Sequence, residues 1–210
     1  MRLLFFGDSF TEGEGSTNKC SFTHFLKDIY NISVWNFGIS GTTIGEYSIY
    51  PVDGNSLLSN ISKYKVFIEN CDVLYLEYGI NDMSAIMCDF TTLKIVEVSF
   101  VKALDAIKQI NPSIKIIFLS ISDKQCIVDM YANLQCKYLM DDYFKGYNFY
   151  IEPKEWSDNY KKLVEFIERR CYVVPMITDM NFFDNMSNDL IHPNNEGYSM
   201  ISKNILRYMY

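Results

Sequence analysis

Apolar residues along the chain follow two patterns, short unbroken runs and longer stretches with helical spacing. Unbroken runs predict buried strands, which fall at residues 3–6, 33–37, 73–78, 114–120 and 171–176. Apolar positions three or four apart predict amphipathic helices, which fall at residues 21–30, 55–69, 93–110, 155–170 and 195–208. Strands that alternate with helices favour parallel pairing with helices on both faces of the sheet. The predicted fold class is therefore α/β, a three-layer α/β/α sandwich around a mostly parallel five-stranded sheet.

One region departs from this alternation. Residues 121–153 are rich in aromatic side chains, namely Tyr131, Tyr138, Tyr143, Phe144, Tyr147, Phe149 and Tyr150. One interpretation is a helix and a long loop packed over the core; the other is a lid or wall of a substrate cleft. The sequence leaves both open. Because no linker or repeat divides the chain and its length suffices for a full core, we expect a single domain over residues 1–210 that contains this insert.

Charge and hydropathy narrow the class of partner. The formal charge of −7 disfavours nucleic acid, whose backbone is bound by basic surfaces. No apolar run approaches the ~18 residues of a membrane span, and the first strand starts too early to leave room for a cleavable signal peptide. The six cysteines form no C-x-x-C pair and are expected to be reduced and mostly buried. We therefore expect a cytoplasmic protein, whose oligomeric state the sequence does not indicate.

Polar residues follow three of the predicted strands at their carboxyl ends, where ligands of α/β proteins usually bind. The first strand leads into residues 7–13, GDSFTEG, where the Ser9 hydroxyl can project into a crevice. Taken alone, this segment is an ordinary strand-to-loop turn. After the second strand, Gly38 and Gly41 permit a loop that brings backbone N–H groups close to a substrate. After the third, Asn81 is by local rules an Asx turn or a helix cap.

The two histidines differ in their surroundings. His24 lies in a predicted helix with no acidic partner at suggestive spacing, and such a histidine is usually a surface residue. His192 follows Asp189 by three residues, just ahead of the last helix, so that the carboxylate can reach Nδ1–H while Nε2 faces Ser9. Acyl transfer through a serine needs such a base and a group that orients it. The alternative is that Asp189 forms a local turn and His192 lies at the surface.

These segments together resemble the SGNH (GDSL-type) hydrolases. Residues 7–13 resemble the first sequence block of that family, and residues 36–41, NFGISG, resemble the second. Residues 79–82, GIND, resemble the third block, and residues 189–193, DLIHP, resemble the fifth. The matched blocks occur in the family's order and span nearly the entire chain. The resemblance implies a flavodoxin-like SGNH hydrolase fold, in agreement with the hydrophobic pattern.

The resemblance also implies a role for each site residue. It implies a catalytic triad of Ser9, His192 and Asp189. It implies an oxyanion hole formed by the backbone N–H groups of Ser9 and Gly41 and by the side-chain amide of Asn81, with Gly38 as the fallback for Gly41. In this mechanism His192 deprotonates Ser9, which attacks an ester carbonyl, and water then hydrolyses the acyl-enzyme. We expect no cofactor and no metal, since the mechanism needs neither and the sequence offers no zinc-binding cluster.

The substrate is left open by the sequence. We favour a small acyl ester, such as an O-acetyl group on a carbohydrate, for which the aromatic residues of the insert would act as sugar platforms. A lysophospholipid or another long-chain ester is the second choice, and an acyltransferase with the same triad is the third. A catalytically silent glycan- or protein-binding module is disfavoured, because such a module has no reason to keep the whole site. A phosphate-binding flavodoxin-like scaffold is disfavoured by Glu12 and Glu14, which place negative charge where the phosphate would sit.

Overall fold

The computed structural model describes residues 1–47, 56–143 and 151–209. The chain folds around a parallel sheet. Its strands are β1 (Arg2–Gly7), β2 (Ser33–Gly38), β3 (Val73–Glu77), β4 (Lys115–Ser120) and β5 (Tyr172–Pro175). They lie in the order β2-β1-β3-β4-β5, and each neighbouring pair is parallel. The predicted five-stranded α/β fold is confirmed, and each strand falls within two residues of its predicted bounds.

Helices connect the strands and cover both faces of the sheet. They are α1 (Ser9–Glu12), α2 (Phe22–Tyr30), α3 (Leu57–Lys63), α4 (Lys65–Asn70), α5 (Ile80–Met87), α6 (Leu93–Ile110), α7 (Gln125–Tyr138), α8 (Pro153–Glu168) and α9 (Asn195–Arg207). The connection from β1 to β2 runs one way along the sheet, and the connections from β2 through β5 run the other way. Because such crossovers are right-handed, α2 lies on one face of the sheet and α3, α6 and α8 lie on the other. In agreement, α2 contacts α9, whereas α3 and α8 both contact α6. The central strands are buried on both faces, which explains their unbroken apolar runs.

Two helices differ from the sequence prediction. The single helix expected over residues 55–69 is divided into α3 and α4 at Tyr64, which leaves helical geometry at φ −111° and ψ 26°. The Tyr64 ring stacks on Phe37 of β2 at 3.9 Å between centroids, and this packing offsets the loss of helical continuity. Helix α5 was not predicted. It begins after Gly79, whose left-handed φ of 112° favours glycine, and most of its side chains are buried.

The aromatic insert is partly described. Its helix is α7, followed by a π-helical turn at Leu139–Tyr143. Tyr131 is buried there, with its ring edge-on to Phe10. Residues 144–150 lie outside the described residues, and so do four of the aromatic side chains noted above: Phe144, Tyr147, Phe149 and Tyr150. The choice between a covering loop and a cleft lid therefore stays a prediction.

Two further expectations concern cysteines and membranes. All six cysteines are free thiols, but only Cys71 and Cys136 are buried, and Cys126 is exposed, so the expectation of mostly buried cysteines was wrong. Of the other four, Cys20 and Cys88 lie at the carboxyl ends of helical turns, Cys126 lies near the start of α7 and Cys171 directly precedes β5, and each is partly or fully exposed. No helix within the described ranges is both long and apolar enough to cross a membrane.

Candidate active site

Three strand ends meet at one edge of the sheet and bring the polar segments together. Gly7, the last residue of β1, is aligned with Gly38 of β2 on one side and Glu77 of β3 on the other. A Cβ atom on Gly7 would come within 2.0 Å of Thr11 Oγ1 and 2.9 Å of the Glu77 carbonyl oxygen, so only glycine fits. The chain turns directly into α1, whose first turn is capped by Asp8, and Ser9 is its first helical residue.

Ser9, His192 and Asp189 form a continuous chain of hydrogen bonds. The His192 Nε2 atom lies 2.9 Å from Ser9 Oγ, and its Nδ1 atom lies 2.7 Å from Asp189 Oδ2. Ser9 and His192 are 183 positions apart in sequence, and the fold closes that separation by returning the loop before α9 to the end of β1. The His192 side chain is 15% exposed, so the ring is not fully enclosed.

The Asp189 carboxylate is held at both oxygens. Its Oδ1 atom accepts hydrogen bonds from Ser187 Oγ at 2.7 Å and from the backbone N–H groups of Ile191 and His192, both at 2.9 Å. Burial alone would favour the neutral acid, but the hydrogen bonds from His192 and these donors outweigh it and hold the pKa of Asp189 well below its usual value. Asp189 is therefore a carboxylate at neutral pH and can stabilise a charged imidazole ring.

The second and third strand ends contribute the predicted oxyanion donors. The Gly38 N–H donates to Asn36 Oδ1 at 2.8 Å, whereas Gly41 occupies a turn with a left-handed φ of 77°. Asn81 lies in the first turn of α5, and its side-chain amide donates to Asp8 Oδ2 at 3.1 Å and to the Thr42 carbonyl at 2.9 Å. Through Thr42, the Asn81 amide is thus tied to the loop that carries Gly41.

Glu12 fastens that loop to α1. Its Oε2 atom accepts from the Ser40 N–H at 2.7 Å and from Ser40 Oγ at 2.6 Å, and its Oε1 atom pairs with Lys19. Burial opposes ionisation, but these hydrogen bonds prevail and lower the pKa of Glu12. Glu12, whose negative charge disfavours phosphate binding, therefore also holds Ser40, the residue before Gly41, in place.

Several of these contact residues were not assigned to the site by the sequence. Glu77 is a charged residue inside an apolar strand, and that pattern is the one signal that singles it out. Asp8 lies in the segment of residues 7–13 that, taken alone, was interpreted as an ordinary turn, and Ser187 had no signal beyond its closeness to Asp189. His24 was expected to lack an acidic partner; this was wrong, because its Nε2 lies 3.0 Å from Asp28 one helical turn away, with both side chains exposed.

Asp82 gives the site region a pH-dependent stability. It is fully buried, and burial together with the charge of Asp8 raises its pKa to about 7 despite hydrogen bonds from Tyr47, Ile44 and Gly79. The unfolded chain releases this proton near pH ~3.9, so the folded state binds more protons between the two values. The contribution of Asp82 to the free energy of unfolding is therefore lost as pH rises from ~4 to ~7, by on the order of 4 kcal/mol, and is constant above.

The Asp82→Asn variant tests this contribution. Its amide oxygen can still accept from the Ile44 N–H and the Tyr47 hydroxyl, which share Oδ1 in the wild type, but it carries no proton to lose. Urea unfolding at pH values from ~4 to ~8 should give a shallower decline in the variant than in the wild type. Parallel curves for the two proteins would show that Asp82 does not titrate in this range.

Comparison with known proteins gives the following matches. The sequence model of the GDSL-like lipase/acylhydrolase family matches residues 5–200. None of the curated proteins compared with the chain matches it. The structure of the lipase Lip_vut3 from a goat rumen metagenome is similar over 100% of this chain and 98% of that chain, with a TM-score of 0.63 and 12% sequence identity.

Two solved carbohydrate-active esterases are also similar. A family 3 carbohydrate esterase from Clostridium thermocellum has a TM-score of 0.57 and 17% identity, over 100% of this chain and 94% of that chain. The acetyl xylan esterase AlAXEase has a TM-score of 0.60 and 17% identity, over 100% of both chains. At these identities the likeness shows a shared fold.

Proposed function

The chain belongs to the GDSL-like lipase/acylhydrolase family of ester-bond hydrolases, and from this premise we propose that it is a serine esterase with Ser9 as its nucleophile. The observation that supports this role most is the unbroken hydrogen-bond chain from Asp189 through His192 to Ser9, at 2.7 Å and 2.9 Å. A neutral imidazole that donates from Nδ1 to a carboxylate presents Nε2 as the proton acceptor, which is the arrangement that activates a serine hydroxyl.

Each step of acyl transfer then has a group in place. His192 Nε2 takes the Ser9 proton as Oγ attacks the ester carbonyl, and the imidazolium that forms is stabilised by Asp189. The same imidazolium gives its proton to the leaving alcohol. Water then gives a proton to His192 Nε2 as it attacks the acyl group, and the ring returns that proton to Ser9 Oγ as the bond to the acid breaks. Ser9, His192 and Asp189 thus end the cycle in the protonation states in which they began it.

The developing oxyanion is the part of the transition state that most needs stabilisation. We assign the backbone N–H groups of Ser9 and Gly41 and the amide of Asn81 to this task, with Gly38, whose N–H donates to Asn36 Oδ1, as the fallback for Gly41. Both hydrogens of the Asn81 amide have protein acceptors, Asp8 and Thr42. When the amide donates to the oxyanion, it gives up the contact with the neutral Thr42 carbonyl for one with a charged oxygen, which forms the stronger hydrogen bond.

For the substrate we propose a small acyl ester, specifically an O-acetyl group on a carbohydrate. Two proteins with the same fold are named as a carbohydrate esterase and an acetyl xylan esterase, and both match this chain over its full length. A third, named as a lipase, favours the long-chain alternative. The choice between them is a matter of acyl length and alcohol, which a substrate series separates.

The series consists of p-nitrophenyl acetate, butyrate and octanoate, followed by an acetylated xylo-oligosaccharide. We expect kcat/KM to fall by about tenfold or more from acetate to butyrate, because a small acyl site excludes added methylenes. Release of acetate from the oligosaccharide should accompany it. The matched blank is the Ser9→Ala protein prepared identically, which accounts for contaminating esterases.

Each other outcome contradicts a different part of the proposal. Highest kcat/KM with octanoate would replace the acetyl substrate by a long-chain ester. Faster transfer to an added alcohol than to water would identify an acyltransferase. Absence of turnover of every ester by the folded protein would favour the binding-module interpretation and contradict the esterase assignment.

A further inference from the structure

Three carboxyl groups lie buried beneath the nucleophile. Asp8, Glu77 and Asp82 are at most 1% exposed. None of the ion pairs formed by the described residues includes any of them. The Glu77 carboxyl group lies against Asp8, whose N–H donates to Glu77 Oε2 at 3.3 Å, and a hydrogen bond between the two side chains contributes to the pKa of each. Because two bare carboxylates in contact, without a cation, are strongly unfavourable in a low-dielectric interior, the pair must retain a proton.

The surrounding donors bind one carboxyl group or the other, so the shared proton is what bridges the two. Glu77 Oε2 accepts from the Asp8 N–H at 3.3 Å and from Thr11 Oγ1 at 3.0 Å. Asp8 Oδ1 accepts from the Phe10 N–H and Oδ2 accepts from the Asn81 amide, both at 3.1 Å. None of these donors is shared between the two carboxyl groups. A hydrogen bond between the two acids therefore requires that one of them be protonated.

Other titratable groups face the pair from every neighbouring element. Burial first, and then the charge of Glu77, raise the pKa of Asp8 well above its usual value, while the positive form of His192 would lower it. Burial also raises the pKa of Glu77. Asp82 faces the pair from α5. Four buried phenols complete the surroundings, from the end of β3 and from α7, α8 and α9: Tyr78, Tyr131, Tyr160 and Tyr198.

We propose that Asp8 and Glu77 share a single proton, and that this hydrogen bond positions the Asn81 amide for the oxyanion, an inference that rests on the proposed function of the site. Asp8 connects the shared proton to the position of Asn81, because its carboxyl group caps α1, contacts Glu77 and accepts from the Asn81 amide. Removal of the shared proton sets two negative charges against each other and displaces Asp8 from Asn81. Asp8 and Glu77 are positioning residues in this scheme, because neither touches the reacting atoms.

Two variants with the same charge separate hydrogen bonding from electrostatics. In Glu77→Gln, the amide oxygen accepts from the Asp8 N–H and Thr11, which share one atom in the wild type, and the NH₂ group donates to an ionised Asp8. Every contact is kept. In Asp8→Asn, the oxygen can accept from the Phe10 N–H or from the Asn81 amide but not from both, because these donors contact different carboxylate oxygens in the wild type and an amide has an oxygen at only one of the two positions. The pair keeps one negative charge in both variants, but only Asp8→Asn loses a contact.

The kinetic expectation follows from that difference. Glu77→Gln should keep kcat for p-nitrophenyl acetate within about threefold of the wild type, whereas Asp8→Asn should lower kcat by on the order of 10²–10³ with little change in KM, the loss typical of one misplaced oxyanion donor. Equal losses in the two variants would overturn the positioning role, because only Asp8→Asn loses a contact. Wild-type kcat in a folded Asp8→Asn would also overturn the positioning role.

Infrared spectroscopy tests the shared proton without any activity measurement. At pH ~8.5, where Asp82 with its pKa of about 7 is largely ionised, the wild type should show the carbonyl stretch of a buried, protonated carboxylic acid. Glu77→Gln should lose that signal, because the introduced amide group then supplies the bridging hydrogen, while Asp82→Asn should keep it as the matched control. An unchanged signal in Glu77→Gln, or none in the wild type, would overturn the shared proton. This readout separates the two hypotheses, since an inactive wild type with the signal contradicts only the proposed function.

Discussion

Replacement of Ser9 by alanine is expected to lower kcat for p-nitrophenyl acetate by on the order of 10⁴–10⁶. The hydroxyl is the atom that bonds the acyl group, and no other nucleophile lies within hydrogen-bonding distance of His192 Nε2 among its described contacts. His192→Ala should cost a similar factor, because a serine without its base is a weak nucleophile at neutral pH. The double variant should be no slower than either single one, since the two residues act as a unit.

His24→Ala is the matched control for this experiment. His24 is exposed and its ring contacts Asp28 and Phe25 of its own helix, so its loss should leave kcat within experimental error of the wild type. Thermal unfolding of each variant should show that the fold is retained. Ser9→Ala with more than a few per cent of wild-type kcat would overturn the nucleophile, and an additive double variant would overturn the coupling of Ser9 to His192.

The strands were predictable because a parallel sheet covered on both faces needs unbroken apolar runs, and such runs are visible in the sequence. Helix α5 was not, since its first turn, residues 79–82, has the composition of a loop. That turn is stabilised by burial, with α5 packed against α8 and α6, rather than by helix propensity. The break at Tyr64 likewise depends on a ring contact with β2 that local periodicity does not contain.

In the site, too, some features are visible in the local sequence and others depend on contacts that only the fold creates. Ser9, Asn81 and the Asp189–His192 spacing could be identified because each falls at a strand end or before a helix, where the fold class already places ligands. The contacts of Glu77 with Asp8 and Thr11 span 69 and 66 positions. Such contacts exist only once β1 and β3 are aligned in register. The sequence therefore predicts the groups that carry out the proposed chemistry better than the groups that hold them.

Asp189→Asn is expected to lower kcat by on the order of 10⁴ while leaving the loop folded. In the wild type, Oδ1 accepts the three loop hydrogen bonds and Oδ2 faces His192 Nδ1 alone. An asparagine can keep its oxygen at the first position, but its NH₂ group then faces Nδ1. That contact requires Nδ1 to be the acceptor, so the ring proton moves to Nε2, which can no longer take the Ser9 proton.

Ser187→Ala distinguishes this tautomer effect from general loosening of the loop. It removes one of the three donors to Oδ1 and leaves Oδ2 on the imidazole, so kcat should fall by less than about tenfold. Measurement of kcat and of thermal unfolding for both variants compares them directly. If Ser187→Ala were as slow as Asp189→Asn, the position of the carboxylate would matter more than its charge and acceptor character. If Asp189→Asn kept wild-type kcat, His192 would need no orienting group, and the proposed triad would reduce to Ser9 and His192.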